Sequence, residues 1–75
     1  MIYTDGVHLI TDGDLVELHR FASKIGLSAG HFQPKHAHYD VWGIALRRAL
    51  KLGARQITSR EIVKILNDAT QNQHR

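Results

Sequence analysis

The stretch Ile2-Tyr3-Thr4-Asp5-Gly6-Val7-His8-Leu9-Ile10 decides how the chain folds. Ile2-Tyr3-Thr4 is β-branched and aromatic, and so reads as a short strand. Asp5-Gly6 is a turn signal, and Val7-His8-Leu9-Ile10 is a second strand-like run. An Asp-Gly pair between two such runs suits a two-residue hairpin, which makes them antiparallel neighbours. A sheet therefore opens the chain, and the amphipathic segments that follow have a face to pack on.

Moving outward, Thr11-Asp12-Gly13-Asp14 opens the first helix. Thr11 or Asp12 can accept a bond from a free helical N–H, and the carboxylates suit the positive helix end. Leu15, Leu18, Ala22 and Ile25 recur at spacings of three and four, the stripe of a helix that buries one face. Phe21 borders the stripe. His19 lies one position off it, either as a core-edge histidine or as a residue turned toward the following loop. Gly26 comes just after the last apolar position and fits a left-handed helix terminus.

The run His31-Phe32-Gln33-Pro34-Lys35-His36-Ala37-His38-Tyr39-Asp40 holds three of the six histidines, one of the two tyrosines and the only proline. Proline fixes its own φ and biases the preceding residue toward an extended conformation, so a turn or loop is expected here. His31-Phe32-Gln33 fits a short strand. The plain reading of the rest is a solvated connector in which Tyr39 plugs the core and Asp40 caps the next helix. The functional reading is a site, since loops on rigid flanks concentrate chemistry and histidine ligates metals or titrates near neutral pH.

A second helix is expected from Asp40 through Lys51 or Leu52. Ala45, Ala49 and Leu52 share a face with Trp42 and Leu46 beside it, and Arg47, Arg48 and Lys51 point outward. Gly53 ends this helix as Gly26 ends the first. Arg55 to Thr58 reads as extended. Thr58-Ser59-Arg60-Glu61 is a capping box that opens a third helix lined by Ile62, Ile65 and Leu66. Residues 69–75 have nothing to bury and are expected to fray. The expected fold is one small α/β or α+β domain over residues 1–68, a short three- to four-stranded sheet packed with three helices. The strand–helix alternation later in the chain favours parallel pairing there.

With 75 residues and no cysteine, the chain has neither disulfides nor thiol chemistry nor a cysteine-based zinc site. A domain this small buries only about 60–65% of its unfolded surface, so tight packing, a ligand or self-association must help. No apolar run approaches membrane-spanning length and no signal-peptide pattern opens the chain, which gives a cytoplasmic location as the default expectation. Residues 1–34 carry a net charge of −2 and residues 35–64 a net charge of +5. That split fits a nucleic-acid surface, the two faces of a homodimer, or a solvated amphipathic face.

Three chemistries compete. His36-x-His38 puts two imidazoles on one side of an extended loop, and Asp40 completes a candidate metal set for a divalent ion, with His31 or Asp5 as other third ligands. Without a metal, His38 with Asp40 or Asp5 forms a base and its orienting carboxylate, a candidate catalytic group with Arg47, Arg48 or Arg60 to bind phosphate. The basic residues of the second and third helices would hold nucleic acid mainly through its phosphates, in a salt-dependent manner. A helix-turn-helix reading, to which the Ala49–Gly53 spacing points, ranks below these, because Ser59 falls where an apolar residue should lock the second helix and Arg55–Thr58 reads as extended.

The run His8-Leu-Ile-Thr-Asp-Gly-Asp-Leu-Val-Glu-Leu-His-Arg-Phe-Ala-Ser-Lys-Ile-Gly26, followed by His31-Phe-Gln33, His38-Tyr-Asp40, Leu52-Gly-Ala54 and Thr58-Ser-Arg-Glu61, resembles a family of small bacterial and phage proteins of unknown function, DUF4031. Ile2-Tyr3-Thr4-Asp5 resembles that family's opening strand. Two departures stand out: the Trp- and Arg-containing loop usual after the opening strand is reduced to Gly6-Val7, and Val41-Trp42-Gly43 replaces a Leu-Thr-Pro-like helix start. By matching motif, the resemblance points to Asp5, His8, His19, His38, Tyr39, Asp40 and Arg60. It implies a site and no established activity. The expected function is binding of a nucleic acid, a nucleotide or a protein partner by His38-Tyr39-Asp40 and the basic helices, with a small metal- or histidine-dependent phosphohydrolase or nuclease as the alternative.

Overall fold

A computed structural model describes the backbone of residues 1–73 and the side chains of residues 1–68. The fraying expected of the tail 69–75 falls outside the residues described in full. The elements in order are β1 (Ile2–Thr4), β2 (His8–Thr11), α1 (Leu15–Lys24), a 3-10 turn (Ala29–His31), β3 (Phe32–Gln33), β4 (His38–Asp40), α2 (Gly43–Lys51), β5 (Arg55–Gln56) and α3 (Ser59–Gln73). The strands form one mixed sheet in the order β3-β4-β2-β1-β5. This is an α+β domain with three helices, as expected, but with five strands instead of three or four.

β1 and β2 are antiparallel, with Ile2 opposite Thr11 and Thr4 opposite Leu9. The connection between them is three residues long, Asp5 to Val7, and not the expected two. Asp5 holds it: its Oδ1 accepts from the Val7 N–H at 3.0 Å and the His8 N–H at 2.8 Å. Gly6 takes the positive φ of +97° that this turn needs. β5 lies parallel to β1, with Tyr3 opposite Arg55, as the later strand–helix alternation predicts.

The His38-Tyr39-Asp40 segment is the main correction. It is a strand, β4, paired antiparallel to β2 with His8 opposite Asp40 and Leu9 opposite Tyr39. β3 pairs on its other side, Gln33 opposite His38. The connector is therefore only the four residues Pro34–Ala37, the turn that proline announced. Asp40 does not cap a helix: α2 starts at Gly43, with Trp42 as its N-cap and no side-chain cap bond. The cap of α1 is likewise not Thr11 or Asp12 but Asp14, whose side chain accepts from the Val16 N–H at 2.9 Å.

Strand alternation gives the sheet two different faces. Ile2, Thr4, Leu9, Thr11 and Tyr39 share one. There Leu18 and Ala22 of α1, Ile25 at its C-terminal cap and Ala49 of α2 pack with Ile2, Leu9, Tyr39 and Val41 into the main core. The opposite face carries Ile10, fully buried, together with His8, His38 and Asp40. α3 lies over that face and buries Ile62 to 3% exposure. The expected stripes are right at Leu18, Ala22, Ile25 and Ala49 and wrong at their ends, where Leu15, Trp42 and Leu52 are exposed. The capping box is present, with Glu61 N–H donating to Thr58 Oγ1 and Thr58 N–H to Glu61 Oε1, both at 3.1 Å.

Candidate functional site

The sheet register brings two histidines together. His8 opens β2 and His38 opens β4, and both project from the face beneath α3. Their rings meet edge to face with centroids 5.1 Å apart. A cleft of about 340 Å³ opens beside them, lined by Asp5, His8, His36 and His38 on the sheet side and by Ser59, Ile62, Val63, Leu66 and Asn67 of α3. One wall is thus polar and ionisable, and the other is mostly aliphatic.

Each of the two imidazoles has a carboxylate. His8 Nδ1 lies 2.9 Å from Asp5 Oδ2, and because the carboxylate can only accept, Nδ1 carries the proton of that bond. Asp5 also accepts from Ser59 Oγ at 2.7 Å. Its side chain is only 2% exposed. Burial alone would raise its pKa, but the donors Ser59, His8 and the His8 and Val7 N–H groups outweigh it and hold the carboxyl well below the usual carboxylate range. Asp5 is therefore a fixed negative charge behind His8. His38 Nε2 lies 3.4 Å from Asp40 Oδ1, whose carboxylate is half exposed. One ligand atom from each of His8, His38 and Asp40 falls within 4.8 Å of the other two.

Of the residues expected to act, Asp5, His8, His38 and Asp40 are brought together. His36 is at the cleft's rim and stacks on His38 with centroids 6.4 Å apart, so it neighbours the metal-capable trio without belonging to it. His19 and Tyr39 are elsewhere. They lie toward the main core, where Tyr39 Oη and His19 Nδ1 are 2.7 Å apart and the His19 ring meets Phe32 edge to face. Burial pushes the Tyr39 phenol above its ordinary value. That pair is a prop between α1 and the sheet. Arg47 and Arg48 are exposed on α2, which packs against the face away from the cleft. Arg60 is exposed in the first turn of α3, one residue past Ser59, and does not line the cleft.

Sequence reading missed Ser59 as a partner of Asp5 and the α3 wall of Ile62, Val63, Leu66 and Asn67. A signal for Ser59 was present. Parallel strands end at the same edge of a sheet, and sites gather there. A β1–β5 parallel pair followed by a helix must bring the first residue of α3 beside Asp5.

Fold and cleft together define a small α+β domain with a histidine–carboxylate site between its sheet and its last helix. The chain belongs to the DUF4031 family, described as a protein of unknown function, whose model matches residues 4–69. No curated protein and no solved structure matches it. Among the described residues no helix is long and apolar enough to cross a membrane.

Proposed function

We propose that this domain binds a small, nucleotide-sized molecule in the cleft between β2, β4 and α3. The observation that carries the reading is the meeting of two carboxylate-backed imidazoles with an aliphatic wall across about 340 Å³. Small-molecule sites span about 300–1,000 Å³ and pair an apolar lining with a few placed polar groups. Ile62, Val63 and Leu66 suit a flat ring, Asn67 offers both a donor and an acceptor, and the imidazoles suit the polar head. The division of the sheet's faces supports a small ligand over a nucleic-acid strand, because Arg47 and Arg48 are on the far side from His8 and His38. Asp5 and Asp40 place negative charge beside the head, which disfavours a bare phosphate there and favours one that arrives with a cation.

Calorimetric titration with nucleoside monophosphates, with and without Zn²⁺, tests this reading. Saturable binding is expected in wild type and a loss of at least tenfold in Val63→Trp, which narrows the cleft at a residue already 56% exposed. Equal binding by the two proteins, or none by wild type under either condition, overturns it.

One bond favours a second reading, histidine-dependent hydrolysis of a phosphoester. Asp5 orients His8 as it would a general base. In that step a water oxygen forms the new bond to phosphorus, the ester P–O bond breaks, His8 Nε2 takes the water proton and solvent protonates the departing oxygen. A His8→Ala variant that melts normally and keeps its phosphoesterase turnover refutes it.

A further inference from the structure

We infer that His8, His38 and Asp40 form a site for one divalent transition-metal ion, with Asp5 as the positioning residue that aims His8. The inference deepens the reading of the cleft as the working site and names the cation that reading calls for.

Four observations converge on it. The donor set is two imidazoles and one carboxylate, the mix that zinc-like ions prefer over Mg²⁺ or Ca²⁺. The three ligand atoms lie within 4.8 Å of one another, with His8 and His38 half-buried and the Asp40 carboxylate toward solvent. The His38 Nε2–Asp40 Oδ1 separation of 3.4 Å is longer than a charge-assisted hydrogen bond of about 2.7–2.9 Å. It equals the ligand–ligand edge of about 3.4 Å that follows from tetrahedral bonds of about 2.0–2.1 Å. Finally, His8 is bonded through Nδ1 to a nearly buried carboxylate, the carboxylate–histidine arrangement that fixes a ligand's tautomer and leaves Nε2 for the ion.

Three protein ligands leave a tetrahedral ion one open position. Two of the three ligands, His8 and His38, line the cleft, so a ligand head seated against the imidazoles would meet the ion, and the ion would offset the charge of Asp5 and Asp40. A metal on His8 Nε2 uses the lone pair that a general base needs. The metal site and the His8-base hydrolysis are therefore mutually exclusive.

The test is titration of the purified chain with Zn²⁺ by calorimetry and with Co²⁺ by its visible absorption, without nucleotide. One equivalent is expected to bind, with the intense visible bands of four-coordinate Co²⁺. His8→Ala, His38→Ala and Asp40→Asn are each expected to weaken binding at least 100-fold. Asp5→Asn should weaken it about 10- to 100-fold, the usual effect of removing a ligand's carboxylate partner. His36→Ala should change it less than threefold. Each variant's melting curve shows whether it is folded. If Asp5→Asn or an alanine variant fails to fold, Asp40→Asn at its half-exposed position carries the test. No one-to-one binding, equal binding by Asp40→Asn, or dependence on His36 instead of His8 overturns the inference, the last two outcomes meaning an adventitious surface ion. Metal binding without nucleotide binding leaves this site standing and removes the proposed function. Nucleotide binding without metal binding does the reverse.

Discussion

Replacing Asp5 with asparagine separates the charge of this residue from its shape. Asparagine keeps Oδ1 for the Val7 and His8 N–H groups, so the β1–β2 turn survives. It puts an NH₂ where Oδ2 accepts from His8 Nδ1 at 2.9 Å and from Ser59 Oγ at 2.7 Å. Each hydrogen bond to a charged group contributes about 1.5–3 kcal/mol. His8 and Ser59 both reach water, so the lower end applies to each bond, and the Ser59 hydroxyl recovers part of its bond by turning to accept from the new NH₂, which puts the loss at about 2–3 kcal/mol. In a domain of this size 1 kcal/mol moves the melting temperature by about 4–8 °C, so the variant should melt about 10–20 °C lower at neutral pH. The pH dependence has a definite sign. The folded carboxyl titrates below its ordinary value, so its contribution is complete above the unfolded value of 3.8 and is lost as pH falls toward the lower folded value. Thermal melting of both proteins from pH 7 to pH 2.5 should show a constant gap down to about pH 4.5 and a narrowing gap below about pH 4. Melting within about 3 °C of wild type at pH 7, or a gap that stays constant to pH 2.5, refutes the reasoning.

Other variants test the division between prop and site. Tyr39→Phe removes the phenol bonded to His19 at 2.7 Å and should lower stability by about 1 kcal/mol in a denaturant melt, with Zn²⁺ affinity unchanged because the pair lies on the face away from the cleft; a tenfold loss of Zn²⁺ affinity would contradict that placement. Gly26→Ala forces an L residue to φ +92° and sets its Cβ 3.3 Å from Arg48 Nη1, so it should cost about 1–2 kcal/mol, whereas Gly13→Ala, without positive φ and with neighbours at 3.7 and 3.8 Å, should be near neutral in the same melt. Thr58→Ala removes the hydroxyl that accepts the Glu61 N–H and should cost about 1 kcal/mol, measured by chemical denaturation.

Much of the fold is legible where local chemistry and tertiary packing agree. The β1–β2 pair, the buried stripe of Leu18, Ala22 and Ile25, the glycine termini at positions 26 and 53 and the Thr58–Glu61 box each follow from a few neighbouring residues. β4 does not. Three residues between a proline turn and a helix carry too little pattern to show period two, and His38-Tyr39-Asp40 becomes a strand only because β2 and β3 supply partners on both sides. That one change of state reverses the roles in the motif. Tyr39, beside the histidine in sequence, turns into the core, while His38 and Asp40 turn together toward His8. Four of the residues expected to act, Asp5, His8, His38 and Asp40, do meet. His36 looked like the natural partner of His38 because the two are close in sequence. The partner in space is His8, thirty residues earlier, which only the strand register reveals. The arginines of α2 share a charge sign with Arg60 and Lys64 of α3, but the sheet stands between the two helices.

The most direct measurement on the cleft follows the imidazole resonances of all the histidines by NMR during titration with a nucleoside monophosphate in the presence of Zn²⁺. Binding in the cleft predicts that the signals of His8 and His38 move together and saturate, that His36 moves less, and that His19, behind the sheet with Tyr39, stays still. Saturable shifts at His19, with His8 and His38 unmoved, would contradict the placement of the site.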